Sequence, residues 1–316
     1  MKTQSLGAGE LICAAQLLKE GKLVAFPTET VYGLGAPIFN PAAIAEIFRV
    51  KGRPADNPLI AHISDLAQVE LLAREIPPLF YALAEQFFPG PLTLILKRHS
   101  RVPPIVSAGL SSIALRMPAH PLAQQLISLV GEPLVAPSAN ISGTPSSTEA
   151  SHVLNDFDGK IAAVVDGGQT ACGIESTVIS LLDERPLLMR LGAVSKEAVE
   201  DFLGCSLEMG SKGESPVSPG MKYRHYAPQA PIRLFYDLNE LQSALESACP
   251  SKKRMLLSRL SFPSFSIEQF PLSAPNLYAS LRHADCAGYG EVWIYCDDLI
   301  LKDLALMNRI SRAAEN

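Results

Sequence analysis

Apolar residues recur along this chain with two distinct spacings. Across Leu11–Leu18 they fall three and four apart, as on one face of a helix, and Gly21 then sits where a helix end favours a left-handed residue. Short runs rich in Val, Ile, Leu and Phe at 22–26, 59–63, 92–97, 112–117, 134–136, 162–165, 177–181 and 187–190 read as strands. Between them the pattern predicts helices over 41–50, 64–74, 77–88 and 121–130. Asn40-Pro41 supplies a capping side chain and a proline at the first helical position, and Pro89-Gly90-Pro91 stops the helix that ends at Phe88. Strands and helices mix irregularly rather than in strict βαβ repeats. That predicts an α/β (α+β) fold around a twisted mixed sheet.

From Pro231 the alternation is more regular. Strands at 232–236, 255–258 and 292–295 alternate with helices at 239–248, 276–287 and 303–314, which predicts a small parallel, Rossmann-like α/β domain. No GxGxxG opens any of its helices, so no dinucleotide is assigned to it. Over 204–230 glycine and proline displace apolar residues, as in a linker. Its segment Met221-Lys222-Tyr223-Arg224-His225-Tyr226 is nevertheless richer in aromatic and cationic side chains than a spacer requires. The expected division is therefore 1–203, a linker 204–230, and 231–316.

Composition narrows the chemistry. A chain of 316 residues, 47% hydrophobic and 19% charged, has the balance of a globular protein with ample length for a buried core. The net charge of −5 opposes the basic face that a grip on nucleic-acid backbone needs, so no stable nucleic-acid binding is expected. Six scattered cysteines form no CxxC pair, which excludes a disulfide framework or zinc ribbon and suits a reducing cytoplasm. Leu11–Leu18 is too short and too amphipathic for a signal peptide, and no run has transmembrane length. A Walker A loop, HExxH and GxSxG are absent, so any nucleotide site is not of the P-loop kind. No dedicated carboxylate cage for a metal is visible.

Two stretches carry concentrated chemistry. Pro27-Thr28-Glu29-Thr30-Val31-Tyr32-Gly33-Leu34-Gly35 follows the first strand and reads as a loop at its end, where α/β folds place ligands. Lys51-Gly52-Arg53-Pro54-Ala55-Asp56-Asn57-Pro58 sets two cations beside glycine and proline at the end of helix 41–50. An arginine fork, a compact lysine charge and approachable backbone N–H groups make a site for an anionic ligand. Alternatively, the cations simply suit the negative end of the helix dipole.

These stretches, with PGPLTLIL, SSIALRMPAHP, APSANISG and Gly173-Ile174-Glu175-Ser176-Thr177-Val178, resemble the threonylcarbamoyl-AMP synthase family and its YrdC-like domain, in order from about Leu11 to Gly192. The segment Ser218–Pro228 is similar to the signature of the longer, two-domain members. The resemblance implies a YrdC-like catalytic domain and a linker that folds over the active site. It also implies a reaction joining L-threonine, bicarbonate or CO2, and ATP into threonylcarbamoyl-AMP with release of pyrophosphate. Mg2+ is then held mainly through the phosphates, and the downstream partners are proteins that transfer the threonylcarbamoyl group to tRNA.

By position in these motifs, the resemblance places Thr30, His62, Arg116, Ser138 and Ser176 at L-threonine. It places Arg53, Asn57, Ser112, Asn140, Thr148, Arg190 and Tyr226 at ATP, and Lys51 joins Arg53 as a phosphate-neutralising catalytic cation. Each also has an ordinary use: a surface ion pair for Arg116, a sheet histidine for His62, turn hydroxyls for Thr30 and Ser138, a helix cap for Thr148, and a strand-end cation for Arg190. Ser147 and Leu191 depart from the family pattern, which has proline at both positions. Two other functions compete. A YrdC-like RNA-binding protein without synthase activity is opposed by the acidic charge and the lack of stacking aromatics. A carbamoyltransferase of the hydrogenase-maturation kind requires CxxC pairs and further domains that this sequence lacks.

Overall fold

The computed structural model describes residues 2–210, 226–248 and 252–315. They form two compact units, residues 2–142 with 146–210, and residues 143–145 with 226–248 and 252–315.

The first unit is built on a mixed sheet. Its strands are β1 (Gln4–Leu6), β2 (Val24–Phe26), β3 (Gly33–Pro37), β4 (Ile60–His62), β5 (Ala73–Arg74) and β6 (Leu92–Arg98). They continue with β7 (Ser112–Arg116), β8 (Leu134–Val135), β9 (Ala163–Val165), β10 (Thr177–Ser180), β11 (Leu187–Arg190) and β12 (Glu208–Met209). The spatial order is β1-β9-β2-β3-β8-β4-β7-β6-β10-β11-β12, with β5 paired to β6. Its helices are α1 (Leu11–Lys19), α2 (Pro41–Lys51), α3 (Val69–Leu72), α4 (Pro78–Phe87), α5 (Pro121–Val130), α6 (Ala150–Phe157) and α7 (Lys196–Leu203).

Period-two alternation divides the sheet into two faces. Ala25, Leu34, Ala36, Ala61, Leu94, Leu115 and Val135 enter one large core with Ile44, Ile47 and Phe48 of α2. Their neighbours Val24, Phe26, Leu134 and Ala136 enter a second core with α1 and α5. Both helices bury the i, i+3, i+4, i+7 stripe that the sequence predicts, Leu11-Ala14-Ala15-Leu18 and Ala123-Leu126-Ile127-Val130. Beyond β8, this second face continues as a smaller cluster of Ile60, Ala114, Ile95, Val178 and Met189.

Differences from the sequence reading have local causes. PTETVYGLG is not loop throughout: Gly33–Pro37 is strand, paired antiparallel to β2, because Gly35 lets it lie against the Phe26 ring. The expected helix over 64–74 is a 3-10 turn plus the single turn of α3. It is cut short because Ala73 and Arg74 pair with Arg98 and Lys97. In the span read as linker, Glu208 and Met209 pair with β11, and residues 211–225 lie outside the described residues.

The second unit has four parallel strands, β13 (Ile232–Phe235), β14 (Arg254–Ser258), β15 (Glu268–Pro271) and β16 (Glu291–Tyr295), in the order β13-β16-β14-β15. With α8 (Leu238–Glu246), α9 (Ala274–Cys286), α10 (Asp298–Lys302) and α11 (Leu304–Ala314), this is the small Rossmann-like domain. The edge strand β15 was illegible because its half-exposed EQFP ends in proline. Among the described residues no helix is long and apolar enough to cross a membrane.

Leu94 lies fully buried on β6 in the large core. We expect Leu94→Ala to destabilise the protein by about 2–5 kcal/mol, read as a lower urea midpoint at unchanged slope.

Candidate active site

The sheet register draws the predicted residues into rows. His62 is paired with Arg116 and Ile60 with Ala114 across β4 and β7. Ile95 is paired with Ala114, so the same register sets Thr93 opposite Arg116, and Thr93 in turn lies beside Val178. His62, Arg116 and Thr93 thus form a polar row on one face, directly beyond an apolar row of Ile60, Ala114 and Ile95. Two residues further back, Ser112 lies at the start of β7, level with Pro58 by the same register.

Arg116 anchors the first row and is buried. Its Nη1 donates to Thr30 Oγ1 at 2.8 Å and its Nε to the Gly90 carbonyl at 3.2 Å. Its Nη2 forms an ion pair with Glu29 Oε1 at 2.7 Å. Arg116 is therefore not a surface cation. The adjoining Thr28 Oγ1 donates to the Val31 carbonyl at 2.7 Å and lies 2.9 Å from Thr30 Oγ1, which fixes the loop.

His62 is wholly inside, edge-on to Phe26. Burial first, and the Arg116 charge second, push its pKa down to about 3. The imidazole is neutral at pH 7; with Nδ1 donating to the Ile60 carbonyl at 3.2 Å, Nε2 is left as an acceptor. Ser176 Oγ lies 2.7 Å from Thr93 Oγ1. Arg190 donates twice to the Ser176 carbonyl, at 3.1 and 2.8 Å, and once to its Oγ at 3.1 Å. One residue assigned to nucleotide and one assigned to threonine are thereby locked together. A Cβ at Gly192 would stand 2.3 Å from the Ser176 carbonyl carbon, so only glycine allows this approach.

Ser138 and Asn140 sit on a loop zipped to the first: Leu34 N donates to Pro137 O and Ala139 N to Tyr32 O, at 2.8 and 2.7 Å. Lys51, the last residue of α2, is 2% exposed. Its ammonium donates to the carbonyls of Ser138 and Asn140, each at 2.5 Å. Gly52 turns the chain with φ 60°, and Arg53 Nη2 then reaches the Pro58 carbonyl at 3.2 Å. The Asn57 side chain is 1% exposed, yet neither of its polar atoms has a hydrogen-bond partner among the described residues. An orphaned amide of this kind suits a ligand group. Thr148 is buried, with its carbonyl accepting from Thr170 N at 3.0 Å; Glu149, not Thr148, precedes α6 as its cap residue. Ser147 holds its loop without proline: its Oγ donates to Ala139 O at 2.6 Å and its carbonyl accepts from Tyr32 N at 2.8 Å. Leu191 packs on the large core.

The structure thus brings Thr30, His62, Arg116, Ser176 and Arg190 together, and separately ties Lys51 to the loop of Ser138 and Asn140. Asn57 and Ser112 lie towards the other end of β4, Asn57 within about 17 Å of His62 by chain length. Tyr226 belongs to the second unit, where it takes a positive φ of 69°, stacks on Tyr278 at 5.2 Å and lies under the Arg309 guanidinium. Sequence reasoning missed Glu29 and Thr93. Glu29 was detectable as the only charge in PTETVYGLG, whereas Thr93 needed the strand register.

The fold and this polar face define a two-domain α/β protein with a buried polar cluster on a mixed sheet. Residues 16–192 match the Sua5–YciO–YrdC family model, described as "Telomere recombination", and residues 194–315 match "Threonylcarbamoyl-AMP synthase, C-terminal domain". The chain is 42% identical to the threonylcarbamoyl-AMP synthase of Pyrococcus abyssi, over 95% of this chain and 93% of that protein. It is 51% identical to the Bacillus subtilis threonylcarbamoyl-AMP synthase over 70% of this chain and 65% of that one. The crystal structure of P. abyssi Sua5 complexed with L-threonine superposes with a TM-score of 0.90 at 41% identity, covering 99% of this chain and 98% of that one. The chain belongs to the two-domain threonylcarbamoyl-AMP synthase family.

His62 takes its proton near 6.5 when unfolded and near 3 when folded, so between these values the unfolded state binds more protons. Stability should therefore fall as pH drops below about 6.5, and the fall should flatten in His62→Gln, as read by urea melts from about pH 7 to 4.

Proposed function

We infer that this protein is an L-threonylcarbamoyladenylate synthase. It condenses L-threonine, bicarbonate or CO2, and ATP to threonylcarbamoyl-AMP and pyrophosphate, acting as a nucleotidyltransferase. The observation that carries this reading is the buried Arg116 beside Thr30, neutral His62 and Ser176 on one sheet face, in a chain that aligns almost end to end with a Sua5 solved with L-threonine. Residues 1–203 act as the catalytic domain, 204–230 as linker and 231–316 as the small α/β domain.

In this reading the threonine amine captures CO2 as a carbamate. A carbamate oxygen then attacks the α-phosphorus of ATP, and the bond to the β-phosphate breaks to release pyrophosphate. The reaction needs placement and neutralised charge more than a side-chain nucleophile. Arg116 takes the amino-acid carboxylate, and His62 Nε2, a bare acceptor, suits the substrate hydroxyl. Lys51 and Arg53 neutralise phosphate. The two carbonyls that hold the Lys51 ammonium fix its charge before substrate arrives, which lowers the reorganisation needed in the transition state. Asn57, Ser112, Asn140, Thr148 and Arg190 complete the nucleotide set, with Tyr226 assigned by motif. Among the described residues no group of three His, Cys, Asp or Glu side chains is placed to hold a metal; Mg2+ comes with ATP, bound mainly by its phosphates. The product passes to proteins that modify tRNA in the cytoplasm.

Pyrophosphate release from ATP should depend on both L-threonine and bicarbonate, with serine and alanine far poorer. Arg53→Ala should lower kcat/KM by about a hundredfold or more. Release indifferent to threonine would assign the chain another chemistry.

A further inference from the structure

Helix α9 of the second unit holds two pieces of chain that lead to residues assigned to ATP. Gly143–Pro145, the middle of the stretch from Asn140 to Thr148, belong to that unit, and so does Tyr226. Tyr278 and Arg282 lie four residues apart on α9 and so share one face. Tyr278 stacks on Tyr226 at 5.2 Å. Arg282 donates twice to the Pro145 carbonyl, from Nε at 3.0 Å and from Nη2 at 2.7 Å. Ala227 N donates to the Gly143 carbonyl at 3.0 Å, which ties the two pieces to each other.

Arg282 is buried, and its charge is directed at a backbone carbonyl. A guanidinium taken out of water needs compensating hydrogen bonds, and a charged donor on a carbonyl makes a strong one. The fork fixes the Pro145 carbonyl from two nitrogens, while the proline ring fixes φ of the same residue. The peptide from Pro145 to Ser146 is thereby oriented, and Thr148 follows two residues later. On the other side Asn140 is three residues from Gly143. The flanks are braced within the first unit, Ser142 N by the Lys51 carbonyl at 2.9 Å and Ser147 Oγ by the Ala139 carbonyl at 2.6 Å. The second unit braces the tip. Restraining all three points removes conformational freedom that nucleotide binding would otherwise have to remove.

We propose that Arg282 is a positioning residue for ATP, which sets the loop of Asn140 and Thr148 through the Pro145 carbonyl. With Tyr278 it makes α9 the element through which the small α/β unit governs nucleotide affinity. This rests on the assignment of Asn140, Thr148 and Tyr226 to ATP, and it gives the second unit a function separate from threonine binding.

The test is calorimetric binding to the full-length protein of Mg2+ α,β-methylene-ATP, whose α–β bridge cannot be broken, and of L-threonine. Arg282→Gln should weaken nucleotide binding by about ten- to a hundredfold, the range for hydrogen bonds made by a charged group, with threonine affinity unchanged. Arg282→Lys should recover part of the loss. Leu241→Ala, in the core of the second unit with Phe235 and Trp293, should lower stability yet leave nucleotide affinity unchanged. Unchanged nucleotide affinity in Arg282→Gln overturns the proposal. So does an equal loss for threonine, or an equal loss in Leu241→Ala, since either reduces Arg282 to a general brace of the fold. Should Arg282→Gln not fold, Arg282→Lys carries the test: a smaller loss confined to the nucleotide supports the proposal, and no loss overturns it. Failure of the wild type to bind the nucleotide at all would instead remove the synthase reading.

Discussion

A guanidinium cannot be buried without partners, and in this protein the partners of Arg116 come from two separate parts of the chain. Thr30 and Glu29 are supplied by the loop after β2, and the Gly90 carbonyl by the turn before β6, while Arg116 itself ends β7. Satisfying one charge therefore fixes the relation of that loop to two strands. Removing any partner leaves a desolvated cation, so the contact constrains the loop more tightly than its own turn chemistry could. The polar row on the sheet depends on it.

Lys51 plays a parallel part at the other loop. Helix α2 is positioned by Ile44, Ile47 and Phe48 in the core, which carries its last residue inward rather than to solvent. The ammonium then meets the backbone carbonyls of Ser138 and Asn140, and these are on the loop already zipped to Tyr32 and Leu34. Arg116 and Lys51 thus each hold one of two loops that are zipped to each other, making a single polar assembly. Its stiffness comes from burial, since charge-assisted contacts strengthen as water is excluded. The same exclusion keeps His62 neutral over the working pH range, so it can serve as an acceptor without switching charge.

The two departures from the family pattern illustrate how local stiffness can be replaced. Proline restricts a loop through φ; Ser147 achieves a similar restraint because its hydroxyl donates to the Ala139 carbonyl and its own carbonyl accepts from Tyr32 N. Leu191 substitutes apolar packing for a fixed ring, while Gly192 keeps the close approach to Ser176. Neither change disturbs the locked pair of Arg190 and Ser176.

The sequence alone determined the helical stripes of α1 and α5, the capped start of α2, the alternation of the second unit and the motif residues around KGRP and PTET. Each is set by spacing within a dozen residues or by turn chemistry, and such signals survive without knowledge of the fold. It did not determine that Gly33–Pro37 is strand, that residues 64–74 break after one turn, or that Thr93 lies opposite Arg116. Those depend on which strand pairs with which, and pairing is decided by partners far apart in the chain. Nor could sequence show that Glu29 forms a buried ion pair with Arg116.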